Sequence, residues 1–169
     1  MDANQQALFD RLNELGIETK THQHSAAFTV EEARELRGEI PGGHCKNLFL
    51  KDKKGQLWLI VCLEESRINL KTVPAKIGSA RLSFGKPDLL LETMGIAPGS
   101  VTPFALINDD KAVISVILEQ KMMQHELLNY HPLKNDATTT ISSDDLVRFV
   151  NSCGHNLQIV DLDDNTQPS

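Results

Sequence analysis

Leu8, Leu12 and Leu15 recur at i, i+4 and i+7 in an otherwise polar start, which predicts an amphipathic helix over residues 1–15 stopped by Gly16. A short extended piece follows over 17–22. Thr29-Val30-Glu31-Glu32 is a capping-box pattern and predicts a second helix to about Arg37. The apolar stretch from Asn47 to Leu50, the turn residues 51–55 and the strand-forming run 56–63 together predict a β-hairpin. A helix over 70–77 closes at Gly78, a short strand covers 81–84, and a helix opened by Pro87 runs to Met94 and ends at Gly95. Residues 104–107 and 112–118 predict a second hairpin around Asn108-Asp109-Asp110-Lys111, followed by a helical turn over 119–125. Residues 138–141 read as extended. Ser142-Ser143-Asp144-Asp145 caps a last helix to about Ser152, and 156–161 form a final strand. Helices and strands mix without regular βαβ alternation, so the expected class is α+β, with a mixed, mainly antiparallel sheet flanked by helices.

The 169 residues suit one domain, taken as 1–162 with a polar tail over 163–169, and they can bury a core without disulfide or metal staples. No apolar run approaches the roughly 18 residues of a membrane span, and the start has neither a basic nor an apolar block. A cytoplasmic protein without a membrane partner is therefore expected. Cys45, Cys62 and Cys153 are odd in number and widely spaced, which reads as reduced thiols, with Cys62 in the core. The net charge of −6 argues against DNA or RNA binding by bulk charge. It hides an asymmetry: residues 46–86 hold nine Lys/Arg against three Asp/Glu, a local +6, while the remainder holds eight against twenty. That segment predicts a basic face for a polyanion, against the alternative of scattered solvated lysines. Phe49, Trp58 and Phe84 read as buried, so a base-stacking platform is not expected; the backbone phosphates of a folded RNA are.

Three segments carry candidate chemistry. In Gly42-Gly43-His44-Cys45-Lys46-Asn47 the glycines permit close approach to a ligand, and Lys46-Asn47 enter an apolar strand where charge is out of pattern. A lysine there neutralises a phosphate or a developing oxyanion, and an asparagine donates to a carbonyl or orients a water; a solvated strand-entry lysine is the alternative. His44 and Cys45 are strand neighbours pointing to opposite faces, so a Cys–His nucleophile is not expected. Gly95-Ile96-Ala97-Pro98-Gly99 offers backbone N–H groups to a ligand oxygen, or is a plain connector. His131-Pro132-Leu133-Lys134-Asn135 sets a histidine before proline with an asparagine four residues on. The remaining histidines show no metal-ligand spacing, and the Asp and Glu pairs read as solvated turn and cap residues, so no metal and no cofactor are expected.

Together GGHCKNLFLKD, GIAPGSVTPFAL and HPLKNDATTTIS resemble the YbaK-like editing-domain family, also called the prolyl-tRNA synthetase-associated domain. Within it they resemble most the free-standing branch that deacylates alanyl-tRNA bearing the proline tRNA. The resemblance implies hydrolysis of the ester between a wrong amino acid and the 3′-terminal adenosine, metal-independent, with the aminoacyl-tRNA acceptor end as partner and a prolyl-tRNA synthetase as a second one. It implies Lys46 and Asn47 as the catalytic pair, and Gly95, Pro98, Gly99, His131 and Asn135 as substrate-binding. Phe28 and Val30 are assigned to the wall of the amino-acid pocket. The resemblance also implies help from the substrate's own 2′-hydroxyl. A nonenzymatic tRNA-binding or regulatory module and a hydrolase of another small ester are the alternatives.

Overall fold

The computed structural model describes residues 3–24 and 40–163. The predicted capping-box helix, Phe28 and Val30 lie outside the described residues. Helix α1 (Ala3–Glu14) buries Leu8 and Leu12, and Gly16 ends its last turn at φ 70°. Strands β1 (Lys20–Gln23), β2 (Gly43–Asp52) and β3 (Leu57–Leu63) follow, then α2 (Val73–Ile77), β4 (Leu82–Phe84) and α3 (Pro87–Met94). The chain continues through β5 (Ile114–Glu119), β6 (Leu127–Tyr130), β7 (Ala137–Ser142), α4 (Ser143–Ser152) and β8 (Leu157–Val160). No described helix is long and apolar enough to cross a membrane.

The strands form one mixed sheet in the order β1-β7-β6-β2-β3-β5-β8, with β4 paired to β2. The β2–β3 hairpin is antiparallel, with Lys46 opposite Cys62 and Leu50 opposite Trp58. Parallel pairs join β2 to β6, β3 to β5 and β5 to β8. Strand alternation sends Phe49, Leu59 and Val61 into one core with α1, α3 and α4, and Leu50, Trp58 and Ile60 into a second core under α2. Leu162 packs in that second core, and Asp163 pairs with Lys121 at 3.3 Å.

One expectation fails here. Residues 104–107 are not a strand: Pro103–Asn108 is a 3₁₀ helix whose Thr102 hydroxyl accepts from the Phe104 N–H. Proline at its first turn favours helical entry and removes a ladder donor. The Asp109 carboxylate then accepts from the Val113 and Ile114 N–H groups at 3.2 and 3.0 Å and turns the chain into β5, whose neighbours are β3 and β8. No second hairpin forms there. The Gly42-Gly43 pair also has another role. A Cβ on Gly42 would stand 2.7 Å from the Leu127 carbonyl oxygen, so glycine there permits the close approach of β6.

The β2–β3 turn is built on a buried carboxylate. Asp52 accepts from the Lys54 and Gln56 N–H groups, the Trp58 indole and the Ala80 N–H. Burial alone pushes its carboxyl up, but these hydrogen bonds outweigh it and hold the group below its usual value. The stabilisation is therefore full above the ordinary carboxylate range and is lost as pH falls through the folded value. Asp52→Ala strands the buried indole donor and is expected to lower unfolding free energy by about 2–3 kcal/mol in urea titrations. An unchanged midpoint would remove the carboxylate from the account of this turn.

Candidate active site

Strand alternation decides how Lys46 and Asn47 are presented. Lys46 shares a face with Leu48 and Leu50, over the second core. Asn47 shares the other face with Cys45 and Phe49. Lys46 is half-buried, and its Nζ donates to the Ser66 carbonyl at 2.6 Å, leaving two N–H groups of the ammonium for other acceptors. Asn47 Nδ2 donates to the Val101 carbonyl at 3.1 Å. Its Oδ1 is buried and has no partner among the described residues. Flipping the amide would set two acceptors against each other, so the carbonyl end is the free end.

The sheet is interrupted on one edge of β2 next to these residues. One edge of β2 pairs continuously with β3 from Cys45 to Lys51. On its other edge β6 takes only Gly43 and His44, and β4 takes only Leu50 to Asp52, with Gly85 N–H donating to the Phe49 carbonyl. Among the described strands none pairs with residues 45–48 on that edge.

The two later segments lie partly together. A Cβ on Gly99 would stand 3.6 Å from Asn135 Nδ2, which joins the glycine–proline loop to the histidine–proline loop. Pro98–Ser100 is a 3₁₀ turn, and the Ser100 N–H is taken by the Ala97 carbonyl. Val101, next along, holds Asn47. Gly95 is different: it caps α3 at φ 69° and donates its N–H to the Leu91 carbonyl, so that N–H is not turned toward a ligand as a nest would require. His131 Nδ1 lies 2.9 Å from the Ala137 carbonyl. A carbonyl only accepts, so Nδ1 carries the proton and Nε2 is the basic nitrogen. The His24 ring is 6.3 Å away, with its Nε2 at 2.9 Å from the Thr138 hydroxyl. Leu133 holds this loop at φ 74°, a left-handed conformation costing about 1–2 kcal/mol outside glycine, with its side chain buried in the first core.

The expected cysteine chemistry agrees with the surroundings. Burial pushes the Cys45 thiol up to about 12, so a thiolate nucleophile is not available. Cys62 rises to about 12 for the same reason, despite the Lys46 charge opposite. Among the described residues no three His, Cys, Asp or Glu side chains converge on a point suited to a metal ion. Sequence reasoning missed two residues beside the site. Ser66 receives Lys46 through its backbone, which leaves no side-chain signal. Glu119 is fully buried and holds the end of β3 by accepting from the Leu63 N–H at 2.9 Å. Its signal was a lone charge closing the apolar run ISVILE.

Residues 24–149 match the aminoacyl-tRNA editing domain family. The prolyl-tRNA editing protein ProX of Acetoanaerobium sticklandii is 35% identical over 163 residues, covering 96% of this chain and 99% of the relative. Prolyl-tRNA synthetase associated domain-containing protein 1 of Bos taurus is 37% identical over 164 residues, covering 94% and 95%. Among solved structures, a candidate trans-editing enzyme for prolyl tRNA synthetase superposes with a TM-score of 0.72 at 17% identity, covering 95% and 98% of the two chains. The hypothetical protein APE2540 gives 0.71 at 19% identity, covering 90% and 97%.

Proposed function

Because the chain belongs to the aminoacyl-tRNA editing domain family, we propose that it removes alanine from mischarged proline tRNA, as a metal-independent cytoplasmic deacylase that works beside a prolyl-tRNA synthetase. The names of its relatives support the proline tRNA. The observation that carries the reading is Asn47 Oδ1, a buried acceptor on β2 with no partner among the described residues. A buried acceptor without a partner is costly in a folded protein, and a substrate donor or an attacking water relieves that cost.

The reaction needs little chemistry from the protein, since an aminoacyl ester is already activated. Water adds to the ester carbonyl, its carbon–oxygen double bond opens to an oxyanion, and collapse expels the ribose 3′ oxygen, which takes up a proton. Lys46 supplies a fixed positive charge for the terminal phosphate or the oxyanion. Asn47 Oδ1 accepts from the water or the substrate's amino group. His131, Gly99, Pro98 and Asn135 shape the far side, and the ribose 2′-hydroxyl lies next to the departing oxygen. Selectivity has a physical motive. A synthetase pocket made for proline rejects the smaller alanine weakly, because a missing methylene is worth only about 1–3 kcal/mol, whereas a second pocket sized for alanine excludes proline by overlap.

The test is a deacylation panel of proline tRNA carrying alanine, cysteine, serine or proline. Alanine is expected to be lost fastest and proline to be retained. Alanine loss no faster than in buffer sinks the reading, and salt-sensitive tRNA binding without hydrolysis would identify a binding module instead. Activity is expected to survive a chelator; its disappearance on chelation and return with a divalent metal would end the metal-independent form of the proposal.

A further inference from the structure

The Lys46 ammonium donates to the Ser66 carbonyl, so whatever places Ser66 places the charge. Ser66 lies just past β3, in a turn closed by its own N–H on the Leu63 carbonyl at 3.1 Å, with the Glu64 N–H on the His44 carbonyl. The Ser66 side chain does not hold this turn: it is buried, and its hydroxyl has no partner among the described residues. Two acids from distant parts of the chain do. Glu119, which closes β5, accepts from the Leu63 N–H at 2.9 Å, and Asp163 accepts from the Arg67 N–H at 2.9 Å. One grips the turn where it leaves β3, the other where it ends.

Register sets Glu119 close to Lys46. Lys46 stands directly opposite Cys62 on β3. Val61 pairs with Leu118 on β5, so Glu119, one residue on, stands beside Cys62 from the other side. Paired residues share a face, and this is the face of Ile60 and Ile117, over the second core. Lys46, Cys62 and Glu119 thus form a row across three neighbouring strands, its end backbones about 10 Å apart. Glu119 is fully buried, yet only its Oε1 is used; Oε2 is buried without a partner among the described residues. An unpaired buried oxygen costs stability. The fold alone is served as well by an apolar side chain of this size, so the reason for the carboxyl lies in what it holds.

We propose that Glu119 is a positioning residue for Lys46: by holding the Leu63 N–H it fixes the turn from Leu63 to Arg67, and with it the Ser66 carbonyl that aims the ammonium. Asp163 braces the far end of the same turn, and Lys121 steadies Asp163 at 3.3 Å. The proposal rests on the deacylase reading for what the ammonium does, and adds what keeps it in place. Placement matters because a shift of about 1 Å at a reacting centre costs up to about a hundredfold in rate.

Glu119→Leu removes the acceptor at similar volume. Loss of the unpaired oxygen offsets the freed Leu63 N–H, so this variant is expected to melt near wild type. Its kcat/KM for alanyl-tRNA with the proline acceptor is expected to fall about tenfold or more. Glu119→Gln, which keeps the acceptor, is expected to retain most of the wild-type rate. In a Lys46→Ala background Glu119→Leu is expected to cost nothing further, whereas a merely structural role costs the same factor in both backgrounds. Full activity in Glu119→Leu, an equal loss in both backgrounds, or a Glu119→Gln variant no better than Glu119→Leu overturns the proposal. If Glu119→Leu does not fold, Asp163→Ala decides: a several-fold fall in kcat/KM that vanishes in the Lys46→Ala background is expected, and an unchanged rate overturns the proposal. A readout independent of activity separates the proposal from the reading it rests on. In NMR spectra of protein carrying isotope-labelled lysine, the two ε protons of Lys46, assigned with Lys46→Arg, are expected to be inequivalent in wild type and averaged in Glu119→Leu. If the wild-type protein hydrolyses no ester and these signals still average, the deacylase reading fails and the positioning role stands. Signals that Glu119→Leu leaves unchanged overturn it.

Discussion

Lys46→Ala is expected to lower kcat/KM for alanyl-tRNA by about a hundredfold or more, the scale of losing one preorganised charge or donor at a developing oxyanion. The expectation comes from placement. The lysine is half-buried, with its ammonium held just past the end of β3, and a partly desolvated charge counts for more than one in solvent. Only one of its three N–H groups is used by the Ser66 carbonyl at 2.6 Å, and that bond aims the other two. The fold should tolerate the change, since one hydrogen bond to a backbone carbonyl is worth about 1 kcal/mol. Lys46→Arg is not expected to rescue the rate, because a planar fork does not reproduce a compact ammonium on the same carbonyl. Loss of the charge also leaves Cys62 protonated, for burial already pushes that thiol up to about 12 and the Lys46 charge opposes the shift. Single-turnover deacylation and a thermal melt check the prediction together. An unchanged rate with an unchanged melt removes Lys46 from the mechanism.

The outline of the fold was legible where local chemistry is decisive. Pro87 and Gly95 bound α3 as read, and Ser142 caps α4 by accepting from the Asp145 N–H at 3.1 Å. The β2–β3 hairpin follows from alternation and its turn residues. Strand β6 was missed because its pattern is interrupted by Asn129, whose amide donates to the Pro41 and Gly43 carbonyls and accepts from Thr140. Those partners come from β7 and from the approach to β2, far away in sequence. Residues 104–107 read as a strand because a buried 3₁₀ segment and a buried strand present the same short apolar run. At the site, Lys46 and Asn47 stood out as polar residues entering an apolar strand. The break in the sheet edge beside them did not, since it is defined by where β6 and β4 stop. Phe84 illustrates the same limit. Its aromatic character predicts burial, but an edge strand three residues long has no second neighbour to bury it.

Asn47 separates stability from function most sharply. Its Nδ2 tethers Val101, which follows the Pro98–Ser100 turn, and its Oδ1 is a buried acceptor without a partner among the described residues. Removing a tether costs about 1 kcal/mol, and removing an unsatisfied buried acceptor returns about 1–3 kcal/mol. Asn47→Ala is therefore expected to melt within a few degrees of wild type, or slightly above it, while kcat/KM falls by about a hundredfold or more. Asn47→Asp tests the orientation of the amide. The carboxylate cannot donate, so one of its oxygens faces the Val101 carbonyl at a distance now held by a hydrogen bond. That variant is expected to lose both activity and stability near neutral pH. Part of the stability returns in acid, because protonation gives the carboxyl a donor for the carbonyl; a folded pKa raised by this repulsion confers stability below it and loses it above. Full activity in Asn47→Ala would show that the free acceptor takes no part in hydrolysis. A melt far below wild type in that variant would show that the tether to Val101 outweighs the buried acceptor, and the amide would then be a structural element of the loop.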